Sequence, residues 1–358
     1  MIFRQKTLGF VGMAAFLTVS CGSPLLTGQL PTTSDATILL ETNSFRDTPR
    51  IRFQGQTFLS PNTQVSGTQV GGLSGIAYDP ALDQYLVISD AQSNPRFYRL
   101  RLNFPRRRLS NSEFLGVTPL QGIPNNSSDT EGIARVPRNG NLWISSEGSL
   151  SGAQPFIKEY SPAGVEQRSL ALPGKYLVST NTGIRQNRGF EGLSLSPDES
   201  ILFVGIEQGL KQDEPEQSRI LTYSLPDGRP EAEYLYPLDP SKGLTEILAL
   251  NNTTLLALER PVEAGEGIEV RLYHISLAEA TDIRNLDSLA GQTVKPVTKR
   301  LVADTGIKLG NLPLDNLEGM TLGVNPSTGK PLLILVSDNN FSTLPTRVAA
   351  FEISRLPE

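Results

Sequence analysis

Apolar residues in this chain come in short runs bounded by Pro, Gly, Asn and Asp, and no stretch sustains a helical period. The runs are rich in Val, Ile, Leu, Tyr and Phe, which predicts β-strands throughout. They also come in groups. Two runs flank a polar turn such as Pro137-Arg138-Asn139-Gly140 or Ser196-Pro197-Asp198-Glu199-Ser200. A third run follows at Arg96 to Leu102, Phe156 to Tyr160, Arg219 to Ser224, Val270 to Ile275 and Arg347 to Ile353. The first four groups add a fourth, at Glu113 to Thr118, Gln167 to Leu172, Glu231 to Tyr236 and Val297 to Ala303. Four strands recurring every roughly 55–70 residues predict an all-β fold, a β-propeller of four-stranded antiparallel blades. The fifth group ends after three strands, and the isolated run Ile51 to Leu59 is placed to complete it and close the ring. Five repeats are countable, and the polar stretch around Ala278 to Val294 leaves room for a sixth irregular one, so five or six blades are expected. A pair of sandwiches is the alternative all-β reading, and it explains the fixed unit less well.

Each group opens on a short acidic word. The copies are Thr130-Glu131-Gly132-Ile133, Phe190-Glu191-Gly192-Leu193, Thr245-Glu246-Ile247 and Leu317-Glu318-Gly319-Met320, and Leu73-Ser74-Gly75-Ile76 carries Ser in place of Glu. The second run of each group closes on another acid: Asp90, Glu147, Glu207, Glu259 and Asp338. The separation is 16 residues for Ser74/Asp90, Glu131/Glu147 and Glu191/Glu207, 13 for Glu246/Glu259 and 20 for Glu318/Asp338. The midpoint of every pair falls in the polar turn, so an antiparallel hairpin would set its two members opposite each other. Like charges directly opposite repel. Four such pairs require a cation, an Arg or Lys, or a shared proton. Because the open ends of the hairpins face one way, innermost hairpins would crowd these acids at one mouth of the channel. A one-residue slip at the turn would send a side chain to the other face. The competing structural reading has the acids satisfying backbone donors at each strand entry.

The start of the chain reads differently. Arg4 and Lys6 precede an apolar stretch from Thr7 to Ser20, too short to span a bilayer comfortably, which predicts a signal peptide over residues 1–20. Leu17-Thr18-Val19-Ser20-Cys21-Gly22 has the residue types of a bacterial lipoprotein cleavage site, and the sole cysteine, Cys21, falls where the lipid would be attached. An ordinary secretory signal with an incidental cysteine is the alternative. Residues 21–50, rich in Ser, Thr, Pro and Gly, are expected to be a tether, and residues 51–358 the propeller. An exported, extracytoplasmic protein held to a bacterial membrane only by its lipid follows, and a monomer is expected. Loss of residues 1–20 moves the formal charge from −5 to −7, because Arg4 and Lys6 leave with them. That balance excludes nucleic acid as a partner, since phosphate-backbone binding needs a basic face. One cysteine also excludes an intramolecular disulfide, so stability must come from packing and ring closure.

The inventory of side chains narrows the chemistry. The single histidine, His274, lies in a third-strand run away from the acidic hairpins, so a Ser-His-Asp triad and His- or Cys-dependent zinc sites are not expected. Carboxylates are hard oxygen ligands that suit Ca²⁺, with Mg²⁺ as the alternative. A bound cation would support ester hydrolysis without histidine. On this reading Asp90, Glu147, Glu207, Glu259 and Asp338 hold metal, and Glu131, Glu191 and Glu318 activate water. Arg185, Arg188 and Arg260, close to the acidic words, would hold an anionic or ester substrate by paired hydrogen bonds, with Arg135 on the Glu131 side. The alternative has these arginines pairing with local glutamates.

The segments Gly72-Leu73-Ser74-Gly75-Ile76-Ala77-Tyr78-Asp79, Asp129-Thr130-Glu131-Gly132-Ile133, Arg188-Gly189-Phe190-Glu191-Gly192-Leu193-Ser194, Leu258-Glu259-Arg260, Asn316-Leu317-Glu318-Gly319-Met320 and Val336-Ser337-Asp338-Asn339-Asn340-Phe341 together resemble the phytase-like family, described as having esterase-like activity of phytase. They run in order over residues 71 to 341. The resemblance implies a propeller and an exported ester or phosphoester hydrolase, and it brings no established catalytic residue onto this sequence. A non-catalytic ligand-binding or envelope scaffold is the competing function.

Overall fold

The computed structural model describes residues 49–149, 151–262, 269–304 and 316–355. The signal segment, Cys21 and nearly all of the tether therefore lie outside the described residues. Five four-stranded antiparallel sheets succeed one another along the chain. Blade 1 comprises Leu73–Asp79, Gln84–Ser89, Arg96–Asn103 and Asn111–Pro119, and blade 2 comprises Thr130–Arg135, Leu142–Ser146, Phe156–Tyr160 and Glu166–Ser169. Blade 3 is built from Phe190–Leu195, Ile201–Ile206, Gln217–Ser224 and Arg229–Pro237, and blade 4 from Lys242–Ala249, Thr254–Pro261, Arg271–Ser276 and Thr298–Asp304. Blade 5 takes Asn316–Val324, Pro331–Asp338 and Thr346–Ser354 from the end of the chain. Its outer strand is Arg50–Leu59, paired antiparallel from Arg50 opposite Ser354 to Leu59 opposite Thr346. The ring thus closes as expected, with five blades. Short pieces complete it: a hairpin of Gln64–Val65 and Thr68–Gln69, and 3₁₀ turns at Pro105–Arg107 and Gly174–Tyr176.

The polar stretch that left room for a sixth blade is instead a strap. Ile283 and Leu289 are buried against Leu235 on the outer strand of blade 3. The strap's backbone is tied down as well: Ile283 N donates to Glu233 O, and Lys175 Nζ donates to the carbonyls of Arg284 and Leu286. Two apolar anchors in a polar run make a wrapping segment rather than strands.

The core lies between the blades. One apolar cluster joins blades 1 and 5 through Leu73, Ile76, Val87, Ile334 and Val348. Others join blade 1 to 2, blade 2 to 3, blade 3 to 4 and blade 4 to 5. Every gap is therefore filled, and alternation along each strand faces apolar side chains to both neighbouring sheets. A fully buried Leu or Val contributes about 1.5–3 kcal/mol, so ring closure rather than any single blade carries the stability.

Candidate functional site

The inner strand of each blade contains a β-bulge at the acidic word. Leu73 pairs with Ser89 and Gly75 with Ile88, so Ser74 has no partner of its own. The same break falls at Glu131-Gly132, Glu191-Gly192, Thr245 and Glu318. A bulge leaves one residue out of the ladder and turns it aside. The register then advances by one, so the closing acids do not lie opposite the word acids as the midpoints predict. Asp90 N donates to Gly72 O, Glu147 N to Asp129 O and Glu207 N to Gly189 O, two residues before the bulged position.

The glycine after each bulged acid has a packing reason. A Cβ on Gly75 would lie 2.5 Å from Glu131 O, one on Gly132 would collide with Glu191 O, and one on Gly192 would lie 2.5 Å from Ile247 N. Inner strands thus touch backbone to backbone around the axis, and only Gly allows that approach. Cross-blade hydrogen bonds reinforce it: Thr130 Oγ1 to Ser89 O at 2.7 Å and Ser145 Oγ to Glu191 O at 2.9 Å.

Blade 4 departs from the pattern by one position. Thr245 occupies the bulge and Glu246 takes the glycine site, where its carboxyl accepts from Ile247 N at 3.0 Å and touches the next inner strand at Met320 N. Burial raises the Glu246 pKa well above the usual range, and its carboxyl is taken up by backbone donors of its own and the next inner strand. Glu259 lies opposite Leu244, and Arg260 takes the place of a closing acid. Glu259 does not join the channel acids. It accepts from Tyr236 Oη at 2.6 Å, Lys299 Nζ at 2.7 Å and Asp239 N at 3.2 Å, a buried network at the side of the blade.

The remaining acids converge. Oxygen atoms of Asp129, Glu131 and Glu147 lie within 4.8 Å of one another, as do those of Glu147, Glu191 and Glu207, and Glu147 belongs to both sets. Mutual repulsion extends the group. Asp90 feels Asp338 and Asp129, Glu191 feels Glu131 and Glu318, and Glu318 feels Asp338, Asp90 and Glu207. Burial first, then neighbouring carboxylates, pushes Asp90 and Glu147 up to about 8. Burial pushes Asp129 up to about 6, and it holds Glu131, Glu191 and Glu318 well above the usual carboxylate range. Asp129 is a member that the sequence reading did not single out. It sits two residues before Glu131, and only the bulge register places it opposite Glu147.

The arginines divide. Arg260 Nη2 reaches Glu318 Oε1 at 2.8 Å and Glu207 at 3.5 Å, and this surrounding negative charge keeps it firmly protonated. Arg188 approaches Glu207 at 3.4 Å and donates to the carbonyls of Asn187 and Val262. Arg185 is bound to the carbonyls of Gly209 and Asp213 through Nε and Nη2. It nevertheless lines a cavity of about 190 Å³ whose wall includes Asp129, Glu147, Asn187 and Lys211. Arg135 lies at the far end of its strand, paired with Asp79 at 3.0 Å. His274 is buried in its strand, away from the acids.

Comparison with known proteins follows the same outline. An uncharacterized secreted protein of Arthroderma benhamiae is 24% identical over 257 residues, which cover 57% of this chain and 48% of that protein, so the chain spans about half of its length. Among solved structures, an exo-β-1,3-galactanase of Phanerochaete chrysosporium has a TM-score of 0.48 at 12% identity, covering 83% of this chain and 64% of that one. A protein of unknown function from Dyadobacter fermentans has a TM-score of 0.43 at 9% identity, covering 85% of this chain and 99% of that one. Both are too remote to inform function. Residues 68–341, from the entry hairpin to the rim of blade 5, match the family described as "Phytase-like: Esterase-like activity of phytase". The chain belongs to the phytase-like family.

Proposed function

We propose that the acidic mouth binds a divalent cation, Ca²⁺ before Mg²⁺, and hydrolyses a phosphate or carboxyl ester in the adjoining cavity. The observation that carries this reading is the pair of carboxylate sets sharing Glu147. Buried acids this close need protons or a cation, and a set of oxygens of this kind suits a hard ion. Asp129, Glu131, Glu147, Glu191 and Glu207 are the residues to hold it, with Asp90 and Asp338 completing the negative rim. When bound, such an ion lowers the pKa of water and polarises the ester oxygen. The side chains supply the rest. A carboxyl of the rim left without a cation and without an arginine would hold a proton to pass to a leaving group. Asn187, Lys211 and Arg185 line the cavity beside Glu147 and orient an anionic ester, and Arg188 and Arg260 moderate the charge at Glu207.

Membership of the family and a relative named as secreted support export, with Cys21 as the lipid anchor. A mature N-terminus other than modified Cys21, read by mass spectrometry, overturns the anchor. The competing reading, a non-catalytic propeller, draws on Arg260, which already ties Glu207 to Glu318. One experiment separates them. The chelator-treated chain is titrated with Ca²⁺ by calorimetry, and hydrolysis of p-nitrophenyl phosphate and p-nitrophenyl butyrate is followed with and without chelator. Ca²⁺ uptake with chelator-sensitive turnover supports the enzyme. Absence of both leaves the scaffold.

A further inference from the structure

A second cavity, of about 490 Å³, lies between blades 1 and 2 at the turn ends of their inner hairpins, the end away from the acidic mouth. Its floor is apolar, made by Leu86, Phe97 and Leu142, all nearly or fully buried. Its charged lining is two guanidiniums and one carboxylate, with Gln84 beside them. Arg135 pairs with Asp79 through Nη2 at 3.0 Å, and its side chain is 10% exposed. Its Nε is buried with no hydrogen-bond partner among the described residues. Arg99, across the strand pair from Leu86, makes no ion pair among the described residues, and its Nη2 lies where a Cβ on Gly116 would be only 2.7 Å away.

Arg135 is unusual for its place in the fold. The residue two beyond the apolar residue that closes the word is Tyr78 in blade 1, Leu195 in blade 3, Ala249 in blade 4 and Leu322 in blade 5. Only blade 2 sets a charge there, and a buried guanidinium with an unmet donor costs stability unless something accepts from it. The cavity carries one positive charge in excess over an apolar floor, within the size range of small-molecule sites.

We propose that this gap binds a small aromatic monocarboxylate. The carboxylate accepts from Arg99 beside the Arg135 guanidinium, and the ring lies on Leu86, Phe97 and Leu142. An inorganic anion would leave the floor uncovered, and a neutral aromatic would leave the arginines unmet. The site is independent of the acidic mouth.

Calorimetric titration of the full chain with 2-naphthoate tests it. One site is expected, with 2-naphthalenemethanol, similar in shape and uncharged, binding at least about tenfold more weakly. Arg99→Ala is expected to lower 2-naphthoate affinity about tenfold while leaving the thermal midpoint unchanged, since Arg99 makes no ion pair among the described residues. Arg135→Lys keeps the ion pair to Asp79 but loses the planar guanidinium that lines the cavity, and it is expected to weaken binding by a similar factor. Glu147→Gln, at the other mouth, is expected to bind 2-naphthoate as well as the unaltered chain does. The proposal is overturned if 2-naphthoate does not bind, if the alcohol binds equally well, if neither arginine variant changes the affinity, or if Glu147→Gln alone abolishes it.

Discussion

Arg260 holds the position that an acid holds in the other four blades, and one guanidinium there bridges Glu318 and Glu207 across the channel. Its side chain is only 15% exposed, so removing it takes the close counter-charge from buried Glu318 and one of two neighbouring arginines from Glu207. Arg260→Met is expected to cost about 3–5 kcal/mol in urea unfolding without added cation. Adding Glu318→Gln to Arg260→Met should recover part of that loss, because the double change removes both members of the closer pair. If the single variant unfolds like the unaltered chain, the bridge contributes nothing. The blade-4 sequence Leu258-Glu259-Arg260 shows where residue-level reading stops. Counting from the turn selects Glu259, and only the bulge at Thr245, which is a backbone feature with no composition signal, hands the channel position to Arg260. The corresponding bulge at Glu131-Gly132 in blade 2 hides Asp129, which looks like a flanking residue until the register brings it opposite Glu147.

At the scale of the strand, the acid-glycine word is two devices in consecutive positions. The acid leaves the ladder toward the mouth, and the glycine lets the next inner strand close in. Gly132→Ala places a methyl group against Glu191 O, which is backbone and can move only by parting the two strands. A loss of about 1–3 kcal/mol is expected, the range for overpacking. Gly174→Ala is the control, because nothing lies within 4 Å of its Cβ position, and it should stay within about 0.5 kcal/mol. Equal effects would mean that the inner strands are not held backbone to backbone. Strand number, order and the closing strand were legible because alternation and turn residues are local signals that repeat. The strap over 278–294 was not, since two anchors, Ile283 and Leu289, gain meaning only from the blade-3 surface that receives them.

For the molecule as a whole, stability and charge meet in the ring. Among the described residues Arg50–Leu59 is the one strand that joins the two ends of the fold, so a chain lacking residues 1–59 should lose a single cooperative transition. A chain lacking residues 1–48 should keep it, and near-ultraviolet circular dichroism during heating distinguishes the two. The closed ring in turn forces its acids together, and this sets an unusual pH dependence. Asp90, Asp129 and Glu147 have folded pKa values of about 8, 6 and 8, above their ordinary values of 3.8, 3.8 and 4.5. For a carboxyl raised by folding, the folded state binds the proton more tightly than the unfolded chain does. The stabilisation is complete below the unfolded value and is lost as pH rises through the folded one. In chelator the thermal midpoint should therefore fall from about pH 5 to pH 8, where a protein held by ordinary salt bridges would be level or rising. Millimolar Ca²⁺ should raise the midpoint at pH 8 and do little at pH 5, because at the higher pH the cation meets ionised oxygens while at the lower it must displace protons. A midpoint that rises with pH in chelator would show that the acids ionise freely in the folded ring. A Ca²⁺ effect equal at both values would place the ion elsewhere on the surface.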